Sequence, residues 1–332
     1  MKKLLLLTLF IAFFCIACND SNKKKTTTSP EEQPTLGLPA FDADSAYYFV
    51  KAQTDFGPRV PNTDAHKQCA LFLQQQLERY CDKVILQNFT ANTFDGIKIN
   101  GKNIIGSFNT ENPKRILLAA HWDSRPFADY DPDPANKNTP IDGANDGASG
   151  VGVLLEIARQ LKEKRLLSED VNVGIDIIFF DAEDWGTNNS QDVEGDWWCL
   201  GSQHWAKNPH TTNYKADFGI LLDMVGAPNA KFLQENISMY YASRIVAKVW
   251  SKAYKLGHKD YFINAPGNPI TDDHLYVNKI AKIPMINIIH QDHTTGTGFV
   301  STWHTLQDNI SNIDKKTLSV VGTTVLGVIL EE

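Results

Sequence analysis

The sequence predicts an α/β domain with helices on both faces of a mixed, mostly parallel sheet. Three observations carry this. Strand-like and helix-like segments alternate along most of the chain. Several of the strands, such as Ile116-Leu117-Leu118-Ala119-Ala120, are apolar at every position, as strands covered on both faces must be. No repeat and no second linker interrupts the pattern, which favours one domain over residues 37–332.

The elements follow in order. Phe41 to Thr54 reads as a helix with Asp42 or Asp44 near its start. Asp64 to Tyr80 is amphipathic, with Ala65, Cys69, Phe72, Leu73 and Leu77 near one face. Val84 to Thr90 and Ile97 to Ser107 read as strands joined by a turn at Asp95-Gly96. Arg115 to Ala120 is a buried strand, and Ser149 to Leu161 a helix that follows a glycine-rich loop. Val171 to Phe180 and Asp217 to Asp223 are further buried strands. Gln234 to Leu256 contains a helix, Ile283 to Ile289 a strand, and Lys315 to Leu330 the closing helix.

Before the domain, Lys2 and Lys3 precede an uncharged, mostly apolar run from Leu4 to Ala17. It is short for a membrane span and has the pattern of a cleaved secretory signal. Phe14-Cys15-Ile16-Ala17-Cys18 resembles a bacterial lipoprotein signal cut before Cys18, with Cys15 where Leu is usual. That implies residues 1–17 as signal peptide, a lipid anchor on Cys18 and a bacterial cell-envelope location facing the periplasm. A plain signal peptide cut elsewhere is the alternative. Residues 18–36, rich in Lys, Thr, Ser and Pro, read as a flexible tether.

With 42% hydrophobic and 21% charged residues, the 332-residue chain is neither disordered, collagen-like nor a disulfide scaffold. A net charge of −7 offers no footprint for nucleic acid, so no such partner is expected. Beyond Cys18, the three cysteines Cys69, Cys81 and Cys199 cannot all pair with one another, and Cys69 and Cys81 suit buried thiols.

Polar residues gather just past the apolar strands: His121-Trp122-Asp123, then Asp181-Ala182-Glu183-Asp184, then Asp223. Ligands of open α/β sheets bind outside the carboxyl ends of strands, so these endings mark a candidate site. Any one of them alone could be a solvated loop. Asn145-Asp146-Gly147-Ala148-Ser149-Gly150 opens a helix, yet it lacks both the final Gly of a nucleophile elbow and the Lys of a phosphate loop. Asp146 could equally be a helix cap. Thr271-Asp272-Asp273-His274 adds adjacent acids, of which one should be exposed or share a proton, or which cap a helix. Asp129-x-Asp131-x-Asp133 has Pro134 where a calcium loop wants Gly, so it reads as a solvated loop. Carboxylates and imidazoles with no cysteine near them suit zinc with an open position, with a neighbouring Glu as general base.

The succession His121-x-Asp123, Asn145 to Gly150, Glu183-Asp184, Leu222-Asp223-Met224 and His304 resembles the zinc-aminopeptidase family. Within it, Phe56-Gly57-Pro58-Arg59, Leu222 to Asn229, Asp272-Asp273-His274 and Trp303-His304-Thr305 with Asp308-Asn309 resemble the glutaminyl-peptide cyclotransferases. The resemblance implies a three-layer α/β/α sandwich and one catalytic zinc held by Asp146, Asp184 and His304. It implies Glu183 as general acid/base, Asp223 and Asp272 as hydrogen-bonding carboxylates, and Trp303 and Phe299 as pocket walls. The chain departs from the animal enzymes in carrying Asp184 for Glu and Asn287 for His, in lacking the cysteine pair beside the metal Asp, and in the unalignable segment Trp185 to Leu200. The implied reaction is cyclisation of N-terminal Gln of peptides or proteins to pyroglutamate, releasing ammonia. A two-zinc aminopeptidase, with His121, Asp146 and Asp223 around a second zinc, stays open, as does a binding protein on the same fold.

Overall fold

The computed structural model describes residues 38–167, 171–187 and 195–332. The signal peptide, Cys18 and the tether lie outside the described residues, as do residues 188–194 of the unalignable segment. The elements, in order, are α1 (Ala43–Thr54), α2 (Asp64–Tyr80), β1 (Lys83–Asn92), β2 (Lys98–Phe108), β3 (Arg115–His121), α3 (Ala148–Glu163), β4 (Gly174–Phe180) and α4 (Leu200–Lys207). They continue with β5 (Phe218–Asp223), β6 (Phe232–Gln234), α5 (Asn236–Lys255), β7 (Phe262–Pro266), α6 (Asp273–Tyr276), β8 (Met285–Ile289) and α7 (Lys315–Ile329).

Six strands form one sheet in the order β1-β2-β4-β3-β5-β8. The β1–β2 and β2–β4 pairs are antiparallel, while β4–β3, β3–β5 and β5–β8 are parallel. The mixed, mostly parallel sheet expected from the apolar strands is therefore present. Alternate residues of β3 supply its two faces. Ile116, Leu118 and Ala120 join a core with α1, α2, α3, α5 and α7. Leu117 and Ala119 join a second core with Trp205 of α4 and Val277, which follows α6. A period of two thus puts helices on both faces and makes three layers.

Local chemistry sets the ends of several elements. Asp42 caps α1 by accepting from the Ser45 N–H, and Thr63 caps α2 by accepting from His66. The turn after β1 uses Gly96 at φ +80°. The helix expected within Gln234 to Leu256 is α5; Gln234 itself ends β6, and the helix opens at Asn236 because Glu235 caps it by accepting from Ile237 and Ser238. Helix α4, the small β6–β7 sheet and α6 were not marked by periodicity, since each is only three to eight residues long. Among the described residues, no helix is long and apolar enough to cross a membrane.

Candidate active site

Parallel pairing brings the carboxyl ends of β3, β4, β5 and β8 side by side, with His121 opposite Phe180 and Asp223 opposite Ile289. The acidic endings therefore meet at one edge of the sheet, and backbone contacts then lock them. Both carboxylate oxygens of Asp123 accept from the loop after β4, from the Glu183 and Asp184 N–H groups at 3.1 Å each. Asp308 does the same for the loop before α3, accepting from Asn145 at 2.7 Å and Asp146 at 3.1 Å. Asn145 and Ser149 in turn accept from Gly226 and Val225, tying that loop to the end of β5. Gly147, at φ +138°, admits no side chain, because a Cβ there would lie 2.5 Å from the His121 carbonyl oxygen. Asp146 does not cap α3; Gly147 is the N-cap residue and no side chain caps that helix. Ala182, Cys199, Met224 and His304 all hold positive φ near these loops, a concentration of backbone strain typical of functional sites.

Among the described residues, the expected residues and Cys199 gather into three buried groups whose ligand atoms lie within 4.8 Å of one another. Asp146, Asp184 and His304 form the first, with His304 Nε2 3.2 Å from Asp184 Oδ1 and 3.7 Å from Asp146 Oδ2. His121, Asp146 and Asp223 form the second, with His121 Nε2 at 3.0 Å from Asp146 and 3.3 Å from Asp223. Glu183, Cys199 and Asp272 form the third. The first group fits a zinc ion. Two carboxylates and one imidazole converge on one point, and the buried Asp184 Oδ2 has no hydrogen-bond partner of its own.

Electrostatics sharpens the division of labour. Burial pushes the Glu183 carboxyl well above its ordinary range, helped by the negative charge of Asp272 and opposed by His121. Burial likewise pushes Asp223 up to about 6 and Asp272 up to about 7. Burial opposes the charge on His121, but the carboxylates around it, Asp123 at 3.5 Å from Nδ1 and Asp146 and Asp223 bonded to Nε2, outweigh it and hold its proton well above the usual imidazole range. Burial also works against ionised Asp146, and the His121 hydrogen bond and charge overcome it, so its carboxyl stays below the ordinary value.

One expectation is corrected here and another is narrowed. Cys199 is not remote from the acidic motifs: its Sγ donates to Glu183 Oε1 at 3.0 Å. Only the chain's return through the turn before α4 brings it there. Of the alternatives open for Asp272 and Asp273, exposure is excluded: both are buried, with burial the leading cause of their raised carboxyls. Asp272 caps α6 by accepting from the Asp273 N–H, and its other oxygen accepts from Asn287 Nδ2 at 2.5 Å. Asn287, the departure from the animal His, is thus a direct partner of that acid.

A cavity of about 230 Å³ opens over these groups, with Phe299, Trp303, Trp198 and Ile270 among its walls. It is smaller than the usual drug-sized pocket and suits a single residue head. The Trp303 ring stacks on His304, centroids 3.6 Å apart. Trp198 had no sequence signal beyond its place in the unalignable segment.

A three-layer sandwich with buried carboxylates and imidazoles at parallel strand ends defines a metallo-exopeptidase-like protein. Residues 103–329 match the model of peptidase family M28, and the chain belongs to that family, in the group that contains the bacterial glutaminyl cyclases. It is 53% identical to the glutaminyl cyclase of Tannerella forsythia, with 89% of this chain and 100% of that one covered and a TM-score of 0.85. It is 52% identical to the Bacteroides thetaiotaomicron glutaminyl cyclase, solved with N-acetylhistamine, over 89% of this chain and 99% of that one at a TM-score of 0.83. A zinc-dependent exopeptidase of Parabacteroides distasonis is 55% identical, with coverages of 89% and 99% and a TM-score of 0.85.

Proposed function

We propose that this chain is a glutaminyl-peptide cyclotransferase that converts the N-terminal Gln of peptides or proteins to pyroglutamate and releases ammonia. The observation that carries the reading is Asp272. Its carboxylate closes the buried group of Glu183 and Cys199 beside the zinc-type ligand set, and the chain's likeness to two glutaminyl cyclases supports the same reaction. Asp146, Asp184 and His304 would hold one zinc per chain, which when bound supplies Lewis-acid polarisation of the side-chain amide carbonyl.

The protein's own residues then manage protons and position. Phe299, Trp303 and Trp198 enclose the Gln side chain and exclude water. Asp223 and Asp272 orient the substrate's α-amine and Glu183 by hydrogen bonds. Glu183 takes a proton from the amine as its nitrogen bonds to the amide carbon, and returns it to the departing nitrogen as the old C–N bond breaks. The balance is one lactam formed and one ammonia released. Its raised carboxyl suits a group that must both accept and donate. Nucleophile and electrophile sit on one residue, so holding the folded-back conformer supplies much of the rate.

The second reading, a two-zinc aminopeptidase, is favoured by one observation: His121, Asp146 and Asp223 also converge tightly enough to hold a metal. Incubating purified protein with a Gln-initiated peptide and following its mass separates the two. Loss of ammonia supports the cyclase; loss of the whole first residue overturns it. For location, we propose a single catalytic domain over 37–332, tethered by residues 18–36 to a lipid on Cys18 at the bacterial envelope, facing the periplasm, after removal of signal residues 1–17.

A further inference from the structure

We propose that Arg125 and Asp129 are positioning residues that fix the ring of His304 and the loop of Asp184 for metal binding. The inference rests on the ligand set proposed above. His304 presents Nε2 to Asp184 and Asp146, and its other nitrogen, Nδ1, lies 3.2 Å from Asp129 Oδ1. An imidazole that binds metal through Nε2 carries its proton on Nδ1, and a carboxylate facing that N–H fixes both tautomer and ring orientation.

Asp129 is itself held. Arg125 grips it with two parallel bonds, Nε to Oδ1 at 2.8 Å and Nη2 to Oδ2 at 2.7 Å. The remaining prong, Nη1, donates to the Asp184 carbonyl at 3.0 Å, to Asp184 Oδ1 at 3.3 Å and to the Gly186 carbonyl at 3.3 Å. One buried guanidinium therefore links the carboxylate behind one ligand to the backbone and side chain of another. It also lies 5.0 Å from the Trp198 ring, a wall of the cavity.

The rest of the acidic run braces the same loop. The Tyr130 N–H donates to the His304 carbonyl at 3.1 Å, and Asp131 accepts from the Leu306 N–H at 3.0 Å. His304 sits at φ +54°, a conformation that surrounding contacts must hold in place. The run is thus neither a calcium loop nor merely solvated: Asp131 is buried and its carboxylate is occupied by backbone and Asn136 donors.

The test is zinc affinity, measured on purified, metal-stripped protein by competition with a chromophoric chelator. Asp129→Asn keeps the shape of the side chain, and Arg125→Lys keeps the charge but loses the two-pronged grip. Each is expected to weaken zinc binding roughly 10- to 100-fold, the usual cost of losing a group that orients a metal ligand. The visible spectrum of the cobalt-loaded protein is expected to change in Asp129→Asn, because the ring no longer holds one orientation. Zinc affinity within about twofold of the parent in both variants, with an unchanged cobalt spectrum, overturns the proposal. His304→Ala separates this from failure of the ligand assignment: if that variant binds zinc as the parent does, the ligand set itself is wrong.

Discussion

Cys199 Sγ donates to Glu183 Oε1 at 3.0 Å, while the Cys199 N–H donates to the Glu183 carbonyl at 2.9 Å. Two contacts from one residue thus fix both ends of the proposed acid/base. Cys199 holds φ +58°, so the turn before α4 is bent to make them. Burial raises the thiol well above its usual range, and it acts as a donor and not as a thiolate. Cys199→Ala is expected to lower kcat about tenfold with little change in KM, the cost of leaving a buried carboxyl oxygen without its donor. Cys199→Ser should recover most of the loss. Steady-state kinetics on Gln-initiated peptides checks this, and unchanged kcat in the Ala variant would contradict it.

Glu183→Gln is expected to abolish turnover, by at least roughly 10²-fold, while zinc content stays at the parent level. Metal analysis alongside the rate assay distinguishes this from collapse of the site. Full activity in the variant would remove Glu183 from its proposed role.

Gly147→Ala should destabilise the fold by about 2 kcal/mol or more, through both strained φ and overpacking. The new methyl would lie 2.5 Å from the His121 carbonyl oxygen and 2.6 Å from its ring. Denaturant unfolding measures the loss, and a midpoint equal to the parent's would show that the loop gives way without cost.

Acid stability should depend on Glu235. Burial opposes its charge, but His274 at 3.1 Å and the Ser238 donors outweigh it and hold its carboxyl down at about 2. A folded value depressed below the ordinary 4.5 gives stability that is complete above pH 4.5 and lost as pH falls toward 2. The shift corresponds to roughly 3 kcal/mol. The stability gap between parent and Glu235→Gln should therefore be widest near neutral pH and shrink below about pH 4.5. Urea unfolding across that range checks it; a gap independent of pH would sink the idea.

If Cys18 carries the proposed lipid, Cys18→Ala is expected to abolish incorporation of labelled palmitate; undiminished label in the variant would place the lipid elsewhere.

The sequence by itself determined the layered α/β class, because burial on both faces of a strand leaves an unbroken apolar run such as Ile116 to Ala120. It also exposed Glu183, Asp184 and Asp223, since acids that end apolar strands stand out against their neighbours, and motif order singled out Asp146, Asp272 and His304. The tertiary structure alone decided which acids meet and which partners hold them. Cys199 reaches Glu183, Asn287 reaches Asp272, and Arg125 with Asp129 reaches His304 and Asp184. Asp129 and His304 come from separate loops of the chain, and no local pattern encodes a contact made when parallel strands set their loops side by side. A residue's type limits the bonds it can make, but the register of the sheet chooses the partner that receives them.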